Sequence, residues 1–139
     1  MRIMAIDYGD QRIGIAVSDA MCILCGDAFT MQEWNMERAA QRIADEVRAR
    51  GVGTLVLGLP KNMDGTEGPR ADLYREFAAR VEEVTGLKPV LWDERRTTID
   101  AHRILFESGK NAKKRKKTVD AVAASLILEG YLTFKKVRG

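Results

Sequence analysis

Apolar positions alternate in the first third of the chain and then recur at helical spacing. Arg2–Asp7 is an apolar run closed by an acid, and Arg12–Ser18 carries Ile13, Ile15 and Val17 at every second position. Period two over short runs predicts strands, and Tyr8–Gln11 between them is short enough for an antiparallel hairpin. A weaker strand is predicted near Asp27–Met31. Met36, Ala39, Ala40, Ile43, Ala44 and Val47 then follow the i, i+3, i+4 rule, and Gly51 stops that helix. Thr54–Gly58 is short, apolar and flanked by glycines, which predicts a buried strand.

Pro69 suits the first turn of a second helix, with Leu73, Phe77, Val81 and Val84 as its apolar stripe and Gly86 as its stop. Pro89–Trp92 predicts another buried strand. Thr97 with Asp100 resembles a helix N-cap, opening a helix to Gly109, and Val119–Phe134 reads as the closing helix. The order βββ-α-β-α-β-α-α implies an α/β fold: a mixed five-stranded sheet, an antiparallel meander plus parallel strands, flanked by helices. With no linker or repeat, residues 1–139 form one domain.

Three acids occupy special places in this layout. Asp7 closes the first strand, Glu94 follows the strand Pro89–Trp92, and Asp120 lies in the first turn of the closing helix. A charged group at a strand end weakens the sheet unless it is paired. In βαβ connections the strands are parallel and sites gather beyond their carboxyl ends. If the strands of Asp7 and Glu94 are neighbours, their carboxylates meet, and the first turn of the closing helix brings Asp120 to them. Three carboxylates so gathered make an oxygen-rich site for Mg²⁺ or Mn²⁺, the chemistry of phosphoryl transfer.

Charge adds a partner. Residues 1–69 hold 7 Lys/Arg against 10 Asp/Glu, a net of −3, whereas residues 70–139 hold 16 against 10, a net of +6. Six of the eight residues from Lys110 to Lys117 are basic, which suggests a polyanion; the competing reading is a solvated loop. Hydrophobic residues at 45% and charged residues at 31% fit a soluble globular protein. With no signal-peptide pattern and no apolar run of membrane length, the expected location is the cytoplasm, without a membrane partner.

Four segments, in order, carry a family resemblance. Asp7-Tyr8-Gly9-Asp10-Gln11-Arg12-Ile13-Gly14-Ile15-Ala16-Val17-Ser18-Asp19, Gly58-Leu59-Pro60-Lys61-Asn62-Met63-Asp64-Gly65-Thr66, Asp93-Glu94-Arg95-Arg96-Thr97-Thr98 and Val119-Asp120-Ala121-Val122-Ala123-Ala124 resemble the YqgF family, also called RuvX. Its members are bacterial pre-16S rRNA nucleases once assigned as Holliday junction resolvases. The resemblance implies an RNase H-like fold, metal-dependent nuclease chemistry and catalytic, metal-binding acids at Asp7, Glu94 and Asp120. The implied partners are pre-16S rRNA and ribosomal precursor particles, or branched DNA, met as a monomer or weak dimer. The related RuvC resolvases carry a fourth acid three residues after the acid of the closing helix, where this chain has Ala123. Arg96 also stands where Leu is more usual in the family.

Each signal has a plainer reading. Asp7-x-Gly9 is a common turn former, although Gly9 also lets backbone approach a phosphate closely. Asp93 and Glu94 point to opposite faces of a regular strand, so Glu94 is taken as the ligand and Asp93 as a partner for backbone or Arg95. Asp120 could simply favour the helix dipole. Cys22-x-x-Cys25 lacks further soft ligands beyond His102 for zinc, and reads as core or surface thiols. The ten-residue loop after Gly58 is longer than a strand–helix connection needs. Lys61, Asn62 and Thr66 are expected to touch nucleic acid there, together with Gly9, Arg12, Arg95, Lys113, Lys114, Arg115, Lys116 and Lys117. The expected activity is hydrolysis of RNA phosphodiesters in maturation of the 5′ end of pre-16S rRNA. A structure-specific DNA endonuclease and a non-catalytic RNA-binding module are the alternatives.

Overall fold

A computed structural model of the chain describes residues 1–9, 11–59, 68–93 and 112–138, with backbone alone for residues 69, 112–120 and 136–138. Within these, the elements are β1 (Arg2–Tyr8), β2 (Arg12–Ser18), β3 (Cys25–Gln32), α1 (Met36–Arg50), β4 (Val52–Leu59), α2 (Pro69–Thr85), β5 (Val90–Asp93) and α3 (Ala112–Arg138). The strands form one sheet in the order β3-β2-β1-β4-β5. β1, β2 and β3 form the antiparallel meander, and β4 runs parallel to both β1 and β5.

Side-chain alternation divides the sheet into two faces. Met4, Ile6 and Tyr8 of β1 join Ile13, Ile15 and Val17 of β2 and Leu55, Leu57 and Leu59 of β4 under α1 and α2. Ile3 and Ala5 of β1 join Ala16 and Val56 under α3, whose Ala124, Ile127 and Leu128 are fully buried there. Small residues on this second face let the α3 backbone lie close. Gly130 serves that approach directly, since a Cβ at this position would stand 3.2 Å from the Trp92 ring.

The ends of α1 and α2 have local causes. Asn35 caps α1 by accepting from the Arg38 N–H at 3.0 Å, and Gly51, at φ 67°, ends the helix in the left-handed region. Pro69 opens α2, and Gly86, at φ 76°, closes it. The buried stripe of α2 differs from the expected one. Ala71, Tyr74, Phe77 and Val81 are buried, whereas Leu73 and Val84 are 37% and 38% exposed. Tyr74 displaces Leu73 because its ring meets Tyr8 of β1 edge-on, with centroids 5.4 Å apart.

The closing helix also differs. It begins at Ala112, seven residues before Val119, so Lys113–Lys117 form its first turns and do not lie in a loop. Asp120 consequently sits in the third turn, not the first. The helix expected over Thr97–Gly109 lies outside the described residues. Cys22 and Cys25 are free thiols, half-buried at the second cluster beneath α3.

Candidate functional site

Asp7 is the last residue but one of β1, half-buried, and two places beyond Ala5 on the face that α3 covers. Its partner across β2 is Gly14. On the other side, the parallel pairing Ile6↔Leu57 continues in step to Asp7 and Gly58, and Gly58 in turn pairs with Trp92. Thr30 of β3 stands opposite Gly14. The row Thr30, Gly14, Asp7, Gly58, Trp92 therefore crosses the whole sheet on one face. The carboxylate at its centre has a glycine on each side.

That arrangement sets an acid between two glycines at the carboxyl ends of three parallel strands. Glycine within a strand forgoes packing, and its usual reason is a ligand or backbone coming close. Gly14 carries this signal in the sequence itself, in the middle of a clear strand. Gly58 and Thr30 were not separable from their surroundings until register was known.

Arg12 lies two residues before Gly14 and so shares the face of Asp7, diagonally across the β1–β2 pair. The structure brings these two expected residues together. Gly9 closes the hairpin between them: its N–H donates to the Arg12 carbonyl at 2.9 Å. A Cβ on Gly9 would stand 2.5 Å from that carbonyl oxygen, so the turn itself demands glycine, whatever else Gly9 contacts.

The strands of Asp7 and Glu94 are not sheet neighbours, contrary to the condition set from sequence. β4 lies between β1 and β5. Two strand spacings, about 10 Å, separate Asp7 from the level of Trp92 on β5. The intervening strand position on that face is Gly58, which itself has no side chain to place there. Leu91 packs with the α1/α2 cluster and Trp92 with the α3 cluster. Alternation then puts Asp93, which pairs with Leu59, on the face away from Asp7.

Asp120 gains significance from the longer helix. The dipole effect fades beyond the first turn, so an acid in the third turn has no such explanation. Position 120 falls three and four residues before Ala123 and Ala124, which are 2% and 0% exposed against the sheet. Ala123, where a RuvC resolvase has its fourth acid, is therefore a packed core position. Glu94, Lys61, Asn62, Thr66, Arg95 and His102 lie outside the described residues, as do the side chains of Asp120 and Lys113–Lys117. Among the described residues no three His, Cys, Asp or Glu side chains gather to hold a metal.

Comparison with known proteins agrees with this fold. Thermus thermophilus RuvC, solved in complex with a Holliday junction substrate, superposes with a TM-score of 0.63 at 12% identity, covering 99% of this chain and 96% of that one. A second T. thermophilus RuvC structure gives a TM-score of 0.58 at the same identity. The fold is thus RNase H-like. Carboxydothermus hydrogenoformans has a relative 38% identical over 135 residues, covering 97% of this chain and 98% of its own, named "Putative pre-16S rRNA nuclease". A relative from Clostridium botulinum strain Eklund 17B bears the same name and is 42% identical over 135 residues, covering 95% and 96%. With residues 1–134 matching the RuvX profile, described as Holliday junction resolvase, the chain belongs to the RuvX family.

Proposed function

We propose that this protein is a metal-dependent nuclease that hydrolyses phosphodiesters in RNA, maturing the 5′ end of pre-16S rRNA in the cytoplasm. The observation that carries this reading is the half-buried Asp7 at the carboxyl end of the central strand, with Gly14 opposite it on β2 and Gly58 next in register on β4. The name shared by its relatives supplies the substrate.

Asp7, Glu94 and Asp120 would hold the metal. Their donor set, carboxylate oxygen throughout, suits Mg²⁺ or Mn²⁺ and disfavours softer ions. Such an ion supplies polarisation of the phosphoryl group and activation of water. The chain's own work is placement. The glycine-floored row admits the sugar–phosphate backbone beside Asp7, and Arg12 on the same face neutralises an adjacent phosphate. Lys61 and Arg95 extend that neutralisation, and Asn62 and Thr66 offer polar contacts. Lys113–Lys117, as the opening turns of α3, grip phosphates from the same helix that carries Asp120.

A second reading, cleavage of branched DNA, is favoured by the likeness to RuvC on a Holliday junction. One preparation assayed on pre-16S rRNA, single-stranded RNA, single-stranded DNA and a four-way junction separates the two, with Asp7→Asn as control. Preferential cleavage of the rRNA precursor, lost in the control, is the expected result. Preferential cleavage of the junction would establish the second reading. Binding of RNA without cleavage by any preparation would make the protein a binding module.

A further inference from the structure

We propose that Tyr74 is a positioning residue for the cleavage site, holding the end of β1, and through it Asp7, in place; this rests on the nuclease reading above. The hydroxyl of Tyr74 donates to the backbone carbonyl of Tyr8, the residue directly after Asp7. Both residues are buried, at 4% and 7% exposure.

The sheet itself explains why a side chain is recruited there. Gly9 bonds to Arg12 across the hairpin, so the peptide groups of alternate β1 residues point toward β2. Those of Ile6 and Tyr8 then point the other way, toward β4. β4 ends at Leu59 and the chain continues with Pro60, which has no N–H to extend the ladder. At this point α2 returns over the sheet and Tyr74 supplies the donor from above.

The ring of Tyr8 is fixed as well. It stacks on Phe77 with centroids 3.9 Å apart and planes 9° from parallel, and meets Tyr74 edge-on. Asp7 is thus bracketed by Ile6, fully buried, and by a Tyr8 whose ring and carbonyl are both held by α2. The same helix opens at Pro69, directly after the segment whose Lys61, Asn62 and Thr66 are expected to meet substrate.

The test compares wild type, Tyr74→Phe, Asp7→Asn and Val81→Ala on a single-stranded RNA oligonucleotide carrying the pre-16S 5′ junction, with Mn²⁺. Val81, fully buried on α2, controls for loss of stability away from the β1 end. Tyr74→Phe should lower kcat roughly tenfold with KM for RNA little changed, since misplacing a reacting group by a fraction of an ångström is that damaging. Calorimetric titration of the RNA-free protein with Mn²⁺ should show weaker binding in Tyr74→Phe and not in Val81→Ala. If Tyr74→Phe does not fold, Phe77→Leu, which removes the stack on Tyr8 but keeps the hydroxyl, should show the same pattern. Wild-type kcat and Mn²⁺ affinity in the tested variant, or losses matched by Val81→Ala at equal Tm, would overturn the assignment. Full activity in Asp7→Asn would instead overturn the nuclease reading on which it rests.

Discussion

Asp7 and Gly14 stand opposite each other in the β1–β2 pairing, so the acid has a hydrogen atom where a strand neighbour would carry a side chain. Directly opposed side chains on one face lie about 5 Å apart at Cβ, within the space a hydrated cation and a phosphate must share. Gly14→Val should therefore reduce cleavage about a hundredfold or more. Valine favours strands, so the fold should survive, as a Tm within a few degrees of wild type would show. A fully active Gly14→Val would mean that the space beside Asp7 is not where substrate lies.

The three acids should behave as one unit. Asp7→Asn, Glu94→Gln and Asp120→Asn should each nearly abolish cleavage while the protein stays folded by circular dichroism. Groups that act together lose activity non-additively, so a double variant should be scarcely worse than either single one. Losses that multiply would argue for separate roles and against a common site.

Metal removal gives an independent check. Activity should vanish in EDTA and return with Mn²⁺ or Mg²⁺, while Ca²⁺, larger and more loosely coordinated, should bind but support little turnover. Undiminished cleavage in EDTA would end the metal reading.

Gly9 separates local geometry from chemistry. Gly9→Ala would place a methyl group 2.5 Å from the Arg12 carbonyl oxygen, closer than any real contact, so the hairpin must open. Stability should fall by about 1–3 kcal/mol, in the range of strained backbone positions. Chemical denaturation measures this without any substrate.

Much of the architecture was readable because period and punctuation agreed. Ile13, Ile15 and Val17 alternate, and Gly51 and Gly86 stop helices where the φ values show left-handed backbone. The sheet order was not readable, since nothing local to β1 or β5 tells that β4 comes between them. Leu73 and Tyr74 are adjacent and both apolar enough to face the core, and the choice fell to Tyr8, a contact 66 residues away. The start of α3 is not legible in the sequence, for an electrostatic reason. Cations at the positive end of a helix dipole disfavour the helix, so a basic run naturally reads as loop.

That same electrostatic penalty sharpens the last prediction. α3 has no acid in its first turn, and Lys113 and Lys117 stand four apart as a like-charged pair. The run therefore does not stabilise its own helix, and the reason proposed for it is an anionic partner. Successive helix positions are turned by 100°, so positions 116, 113 and 117 fall within one 100° arc, position 114 flanks that arc and position 115 lies on the far side. A single nucleic-acid strand passing along one side meets at most about three of the five cations. At about −0.7 per single-strand contact, replacing all five with Ser should flatten the log–log salt dependence of RNA binding by about 2. Affinity should drop at low salt, whereas kcat at saturating RNA should change far less, because no metal ligand is altered. The helix should hold or gain order, since five repelling charges leave its positive end. Salt slope and affinity equal to wild type would show the run to be solvated only, with Arg12, Lys61 and Arg95 left to hold the substrate.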